Sequence, residues 1–177
     1  MAAEKSLHRK IQLVLEQAQS STATKLADLA GEILNKKFPN FQTLQYNEAK
    51  DTFLWRPSAR VIRRVVNLCY QLGLLDDGGR LTNHGRQAVR KTQFDSVLSE
   101  QVRRILAKNS ISIGTLNEAI EASLRKNPPV LPTSKNLWAT LSPSVKAGEF
   151  SRFLTLLSHC GAAESSQAKV YLRIETK

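Results

Sequence analysis

Apolar positions recur at three- and four-residue steps along most of the chain, the spacing of helices with one buried face. In the first segment Leu7, Ile11, Val14, Leu15 and Ala18 keep that step, with Arg9, Lys10, Gln12 and Glu16 between them. A polar SSTAT stretch follows, in which Thr22 or Thr24 can cap the next helix by accepting from its free backbone N–H groups. That helix carries Leu26, Leu29, Ala30, Ile33 and Leu34 on one face and stops before Pro39, which cannot continue it. Positions 41–55 are spotted with aromatics, and the pattern predicts a short helix over 46–55. RPSAR opens a third helix, with Pro57 or Ser58 at its start, that runs to Gly73. Two short apolar pieces, LL and RLT, then flank DDGG, the pattern of a β-hairpin around a tight turn. Asn83 or Thr82 caps a further helix that runs with little interruption towards Asn109.

The second half repeats the order of the first. TKLADLAGEILNKKFP, from Thr24, aligns with GTLNEAIEASLRKNPP, from Gly114, at a shift of 90 positions. RVVNLCYQLGLLD, from Arg64, aligns with RFLTLLSHCGAAE, from Arg152, at a shift of 88. Leu26 falls on Leu116, Pro39 on Pro129, Leu68 on Leu156 and Gly73 on Gly161. A Leu-Trp pair (Leu54-Trp55, Leu137-Trp138) and a Pro-Ser pair (Pro57-Ser58, Pro143-Ser144) precede the second stretch of each copy. A repeated order of features marks one folding unit per copy. The units predicted are 1–92 and 93–177, each reading helix, helix, linker with Trp, helix, short hairpin.

The third helix ends in Leu-Gly-Leu-Leu in one copy and Cys-Gly-Ala-Ala in the other. Glycine suits the left-handed residue that closes a helix, and the small or apolar pair after it suits a strand returning to the core. Here the chain resembles the winged-helix superfamily: NLCYQLGLLDDGGRLTNHGRQAV is similar to its end of recognition helix, wing hairpin and following helix. LLSHCGAAESSQAKVYLRI is similar in turn, with SSQA as the wing turn. The resemblance implies a mostly α fold with short β-hairpin wings (α+β), built as two tandem winged-helix units. It also implies that the third helix of the first unit enters the DNA major groove.

That helix has the side chains for the task. At 100° per residue, Arg60, Arg63, Arg64, Asn67 and Gln71 cluster about one line, while Val61, Val65, Leu68, Cys69 and Leu72 lie opposite. Arginine forks onto guanine O6 and N7, and Asn or Gln onto adenine N6 and N7. A solvated helix face ordinarily mixes charge signs, yet no acidic residue occurs between positions 56 and 75. In the first wing Arg80 is placed to reach a minor groove or a phosphate, as wing residues do in the superfamily. Asp76 and Asp77 suit the turn rather than a phosphate partner. Arg86, Arg90 and Lys91 are phosphate contacts of the same kind. The second unit's third helix, over about 144–160, offers Lys146, Arg152 and Thr155 but also Glu149, and its wing offers Lys169. Pro128, Pro129 and Pro132 read as a loop that avoids helix.

Charge sharpens the picture. The 177 residues include 26 Lys+Arg and 15 Asp+Glu, a formal net charge of +11, which favours a polyanionic partner. Residues 1–92 hold 15 basic and 8 acidic residues, and residues 93–177 hold 11 and 7, so the first unit dominates electrostatically. No apolar run approaches the roughly 18–20 residues that cross a bilayer, and MAAEKSLHRKIQ has no secretory-signal pattern. Cys69 and Cys160 each sit inside an apolar helical pattern, which suits a reducing compartment. The expected location is the cytoplasm, on the nucleoid when DNA is bound.

Catalysis finds no support. His8, His84 and His159 are scattered, no phosphate-cradling Gly-rich loop occurs, and the acids are too dispersed to hold metal ions for nuclease chemistry. Neighbours on a helix point about 100° apart, so Cys160 beside His159 reads as a buried thiol rather than a nucleophile. No cofactor or metal is expected. The sequence thus points to a non-enzymatic double-stranded DNA-binding protein. Its role is that of a transcription regulator or a DNA-binding accessory subunit, for example of a prokaryotic system such as phage defence. The chief alternative is a protein-interaction or scaffold subunit of a nucleic-acid-processing complex, with partners on the C-terminal unit. RNA or single-stranded DNA binding ranks lower, because it uses exposed aromatic platforms and only 6% of residues are aromatic.

Overall fold

A computed structural model describes residues 6–160 apart from residue 131. It is mostly helical, with eight α-helices and a single two-stranded antiparallel ribbon among the described residues. The chain divides into two compact units, Met1–Gln93 and Phe94–Lys177. Among the described residues no helix is long and apolar enough to cross a membrane.

In the first unit α1 (Leu7–Ser20) packs against α2 (Leu26–Asn35), α3 (Ala59–Gln71) and α4 (Asn83–Val89), and α2 packs against α3. Ile11, Val14 and Leu15 from α1, Leu29 and Ile33 from α2, and Ile62, Val66, Leu68 and Cys69 from α3 form the dry centre. Ser6 and Ser58 cap α1 and α3 by accepting from the N–H groups of Arg9 and Val61. For α2 the expected threonine cap is absent: Lys25 occupies the N-cap with no side-chain bond, and Thr24 instead donates its hydroxyl to Asp28.

Residues 46–55 do not form the expected α-helix. Strands β1 (Gln42–Asn47) and β2 (Thr52–Pro57) form the ribbon, in register from Gln42 opposite Pro57 to Asn47 opposite Thr52. The reason is local. Asn47 accepts from the Ala49 N–H to start a 3₁₀ turn, Glu48–Lys50, and Asp51 closes it with φ at 45°. Leu44 and Tyr46 on one side and Phe53 and Trp55 on the other lie two positions apart, a spacing that a strand gathers on one face and a helix scatters, with Leu54 on the opposite face.

At the end of α3, Gly73 takes φ 68°, its N–H bonded to the Tyr70 carbonyl and that of Leu74 to the Cys69 carbonyl, a Schellman closure. The wing expected next is only a turn. A single bridge joins Leu75 to Leu81, Asp76 and Arg80 bond through their backbones, and the Asp76 carboxylate accepts the Arg80 N–H. The ladder stops there because Thr82 caps α4 by accepting from Gly85. The expectation of two hairpin wings is therefore corrected: the described residues hold one hairpin, before α3 rather than after it. The second wing, with SSQA and Lys169, lies outside the described residues. The helix expected to run on towards Asn109 also breaks at positions 90–93, where Arg90 turns extended.

The second unit holds α5 (Phe94–Lys108), α6 (Ile113–Leu124), α7 (Ser134–Leu141) and α8 (Ala147–His159). Helix α8 packs on α5 and α7, and α6 packs on α7. Phe150, Leu156 and Leu157 of α8, Leu98 and Val102 of α5 and Leu137 of α7 are buried. Trp138 donates its indole N–H to the Val145 carbonyl at 2.9 Å, pinning the α7–α8 loop.

Candidate nucleic-acid interface

Helix α3 is divided lengthwise. Ile62, Val65, Val66, Leu68, Cys69 and Leu72 are buried, and Val61 is half-buried at the margin. Arg60, Arg63, Arg64, Asn67 and Gln71 are all exposed on the other side. Among the described residues, the guanidinium groups of Arg60, Arg63 and Arg64 have no ion-pair partner. Three cations within little more than one helical turn repel one another, so the face favours an anionic ligand that joins them. Tyr70, 46% exposed and seven residues after Arg63, adds an aromatic edge that the sequence reading did not include.

A second basic feature lies in the same unit. A cleft of about 460 Å³ between α1, the turn and α4 has Arg80, Arg86 and Arg90 on its walls over Ala18, Leu81 and Val89. Arg86 is partly committed inside the fold: it donates to the Leu81 carbonyl at 2.9 Å and to the Asn83 side chain. Arg80 and Arg90 are exposed. Lys91, grouped with them in sequence, lines a different and much smaller recess.

In the second unit Lys146 is exposed at the N-cap of α8, whereas Arg152 is half-buried and donates from Nε to the Gly148 carbonyl at 2.9 Å. Glu149 lies between them in the first turn of α8. These side chains do not make the continuous acid-free face that α3 has. Cys160 has its thiol pushed up to about 12, first by burial and then by the Asp95 carboxylate, the opposite of the shift an activated nucleophile needs.

The ribbon supplies what the sequence reading passed over. Leu44, Tyr46, Phe53 and Trp55 are all more than half exposed. The two-residue spacing of Leu44 and Tyr46 and of Phe53 and Trp55, on either side of Asn-Glu-Ala-Lys-Asp, was the available signal.

No family model, curated protein or solved structure matches this chain.

Proposed function

We propose that this chain binds double-stranded DNA without catalysing a reaction on it, with α3 as the reading helix. The observation that carries the proposal is the outer face of α3: three guanidinium groups without an ion-pair partner among the described residues and two carboxamides, on a helix whose opposite face is locked into the core. Lys and Arg elsewhere in the first unit, including the Arg80–Arg86–Arg90 cleft, supply phosphate attraction, and α3 supplies base preference. The biological role that fits is a transcription regulator or a DNA-binding accessory subunit of a larger system.

We read the two units as tandem winged-helix-type modules. Supporting this, α3 and α8 are both 13 residues long and begin 88 positions apart, at Ala59 and Ala147. Each comes after a helix pair, α1 and α2 or α5 and α6, although the segment between is the ribbon in the first unit and α7 in the second. The first wing is then one bridge deep, so Arg80 acts from a turn. In the second unit Lys146 and Arg152 add contacts, or the surface takes a protein partner.

The test is fluorescence anisotropy with a blunt duplex across salt. Log affinity is expected to fall with log salt at a slope of roughly −3 to −6, as a handful of phosphate contacts gives. Absence of duplex binding at physiological salt contradicts the reading.

A further inference from the structure

One face of the ribbon carries large side chains that folding leaves in solvent. Leu44 stands opposite Trp55 and Tyr46 opposite Phe53 in the ladder. Residues two apart on a strand share a face, so the four lie together. Their exposures are 52% for Leu44, 53% for Tyr46, 62% for Phe53 and 55% for Trp55. The Tyr46 and Phe53 rings touch, with centroids 5.3 Å apart and planes at 56°, and the Tyr46 hydroxyl is held by Asp51. Neither strand buries a residue; the ribbon is anchored at its base by Phe41, 1% exposed, whose carbonyl accepts the Ser58 N–H at 2.9 Å.

Charge beside the ribbon narrows the choice of occupant. The ribbon itself is balanced, Lys50 and Arg56 against Glu48 and Asp51, but the segments it joins bring Lys36 and Lys37 on one side and Arg60, Arg63 and Arg64 on the other, with no acid among them. A ligand that suits both apolar rings and this surplus is a polyanion with flat apolar faces, which describes unpaired nucleic-acid bases on their phosphate backbone. A second copy of the chain fits poorly. Four half-exposed side chains offer roughly 400 Å² per copy, against the ≈800 Å² of a standard interface.

We infer that the Leu44–Tyr46–Phe53–Trp55 face is a stacking platform for unpaired bases, so that the preferred ligand is a duplex with an adjoining single strand. The two cross-strand pairs lie roughly 7 Å apart along the ribbon, giving two steps on which a base can lie. A single residue, Ser58, separates the platform's strand β2 from α3. The platform's strand thus leads within a few residues into the first turns of α3, which carry Arg60 and Arg64. The duplex half of this ligand rests on the function proposed above; the platform does not.

The experiment compares, for the full chain, a blunt duplex, the same duplex with a short single-stranded overhang, and the single strand alone. The variants are Phe53→Ser/Trp55→Ser and Trp55→Phe, with folding checked by circular dichroism. The overhang is expected to raise affinity about ten-fold, the double serine variant to erase that gain and Trp55→Phe to keep most of it. Stacking is also expected to quench tryptophan emission in the wild-type protein. An overhang without gain, or a gain that survives Phe53→Ser/Trp55→Ser, overturns the platform and leaves the duplex reading standing. Single-strand binding that disappears in the serine variant, with no binding of blunt duplex, supports the platform and removes the duplex reading. If Phe53→Ser/Trp55→Ser instead abolishes binding to anionic phosphatidylserine vesicles or abolishes self-association, with no effect on oligonucleotides, the face belongs to a membrane or to a second copy and the inference fails.

Discussion

Gly85 shows how single positions hold the first unit together. A Cβ there would lie 2.0 Å from the Leu74 carbonyl oxygen, a backbone atom with no freedom to step aside. Glycine allows α4 to approach the end of α3 this closely. Gly85→Ala is expected to destabilise the first unit by about 2 kcal/mol in urea melts, the cost of overpacking a fitted site. The cysteines provide a second check. Burial pushes the Cys69 thiol up, and burial with Asp95 pushes Cys160 up to about 12. Both are expected to resist Ellman's reagent at pH 8 in the native state and to react fully in denaturant. The unfolded thiols ionise first, so the folded state binds more protons above about pH 9. The stabilisation is therefore complete below about pH 9 and is lost as pH rises towards 12. Denaturation at pH 8 and pH 10.5 is expected to show this loss, smaller in Cys160→Ser.

At the scale of elements, caps and closures decide where each helix stands. Ser58 ends the ribbon and starts α3, accepting the Val61 N–H at 3.3 Å while donating its own N–H to Phe41. Ser58→Ala is expected to cost about 1 kcal/mol, read as a lowered thermal midpoint, and Ser58→Gly less. The α3 face was legible in the sequence because one helix's own periodicity sets which side Arg60, Arg63, Arg64, Asn67 and Gln71 occupy. Gly73 was legible for the same reason, and the starts of α3 and α4 were narrowed to Pro57 or Ser58 and to Asn83 or Thr82, whereas the threonine cap expected for α2 did not form. The ribbon was not legible as a ribbon, because each strand spans only six residues, Leu54 breaks the alternation between Phe53 and Trp55, and the aromatics look like core. Folding places them outside the core. The Arg80–Arg86–Arg90 cleft was not readable either: it exists only where α4 packs on α1. The first wing failed for lack of length, its two apolar pieces supporting a single bridge before Thr82 is taken by the helix.

For the whole molecule, the surplus of basic residues gathers in the first unit and, within it, near the ribbon and α3. Charge alone gives salt-sensitive attraction to any polyanion. The stronger claim is that one helix face does the binding. The measurement that separates the two is duplex anisotropy with Arg63→Glu/Arg64→Glu beside a control of equal charge change, Lys108→Glu/Lys126→Glu, whose side chains are exposed in the second unit. The α3 variant is expected to lose at least about a hundred-fold in affinity and the control less than about five-fold, because removing direct phosphate and base bonds outweighs a distant change in charge. Equal losses, or an α3 variant that binds like the parent, would contradict the assignment of α3 as the reading helix.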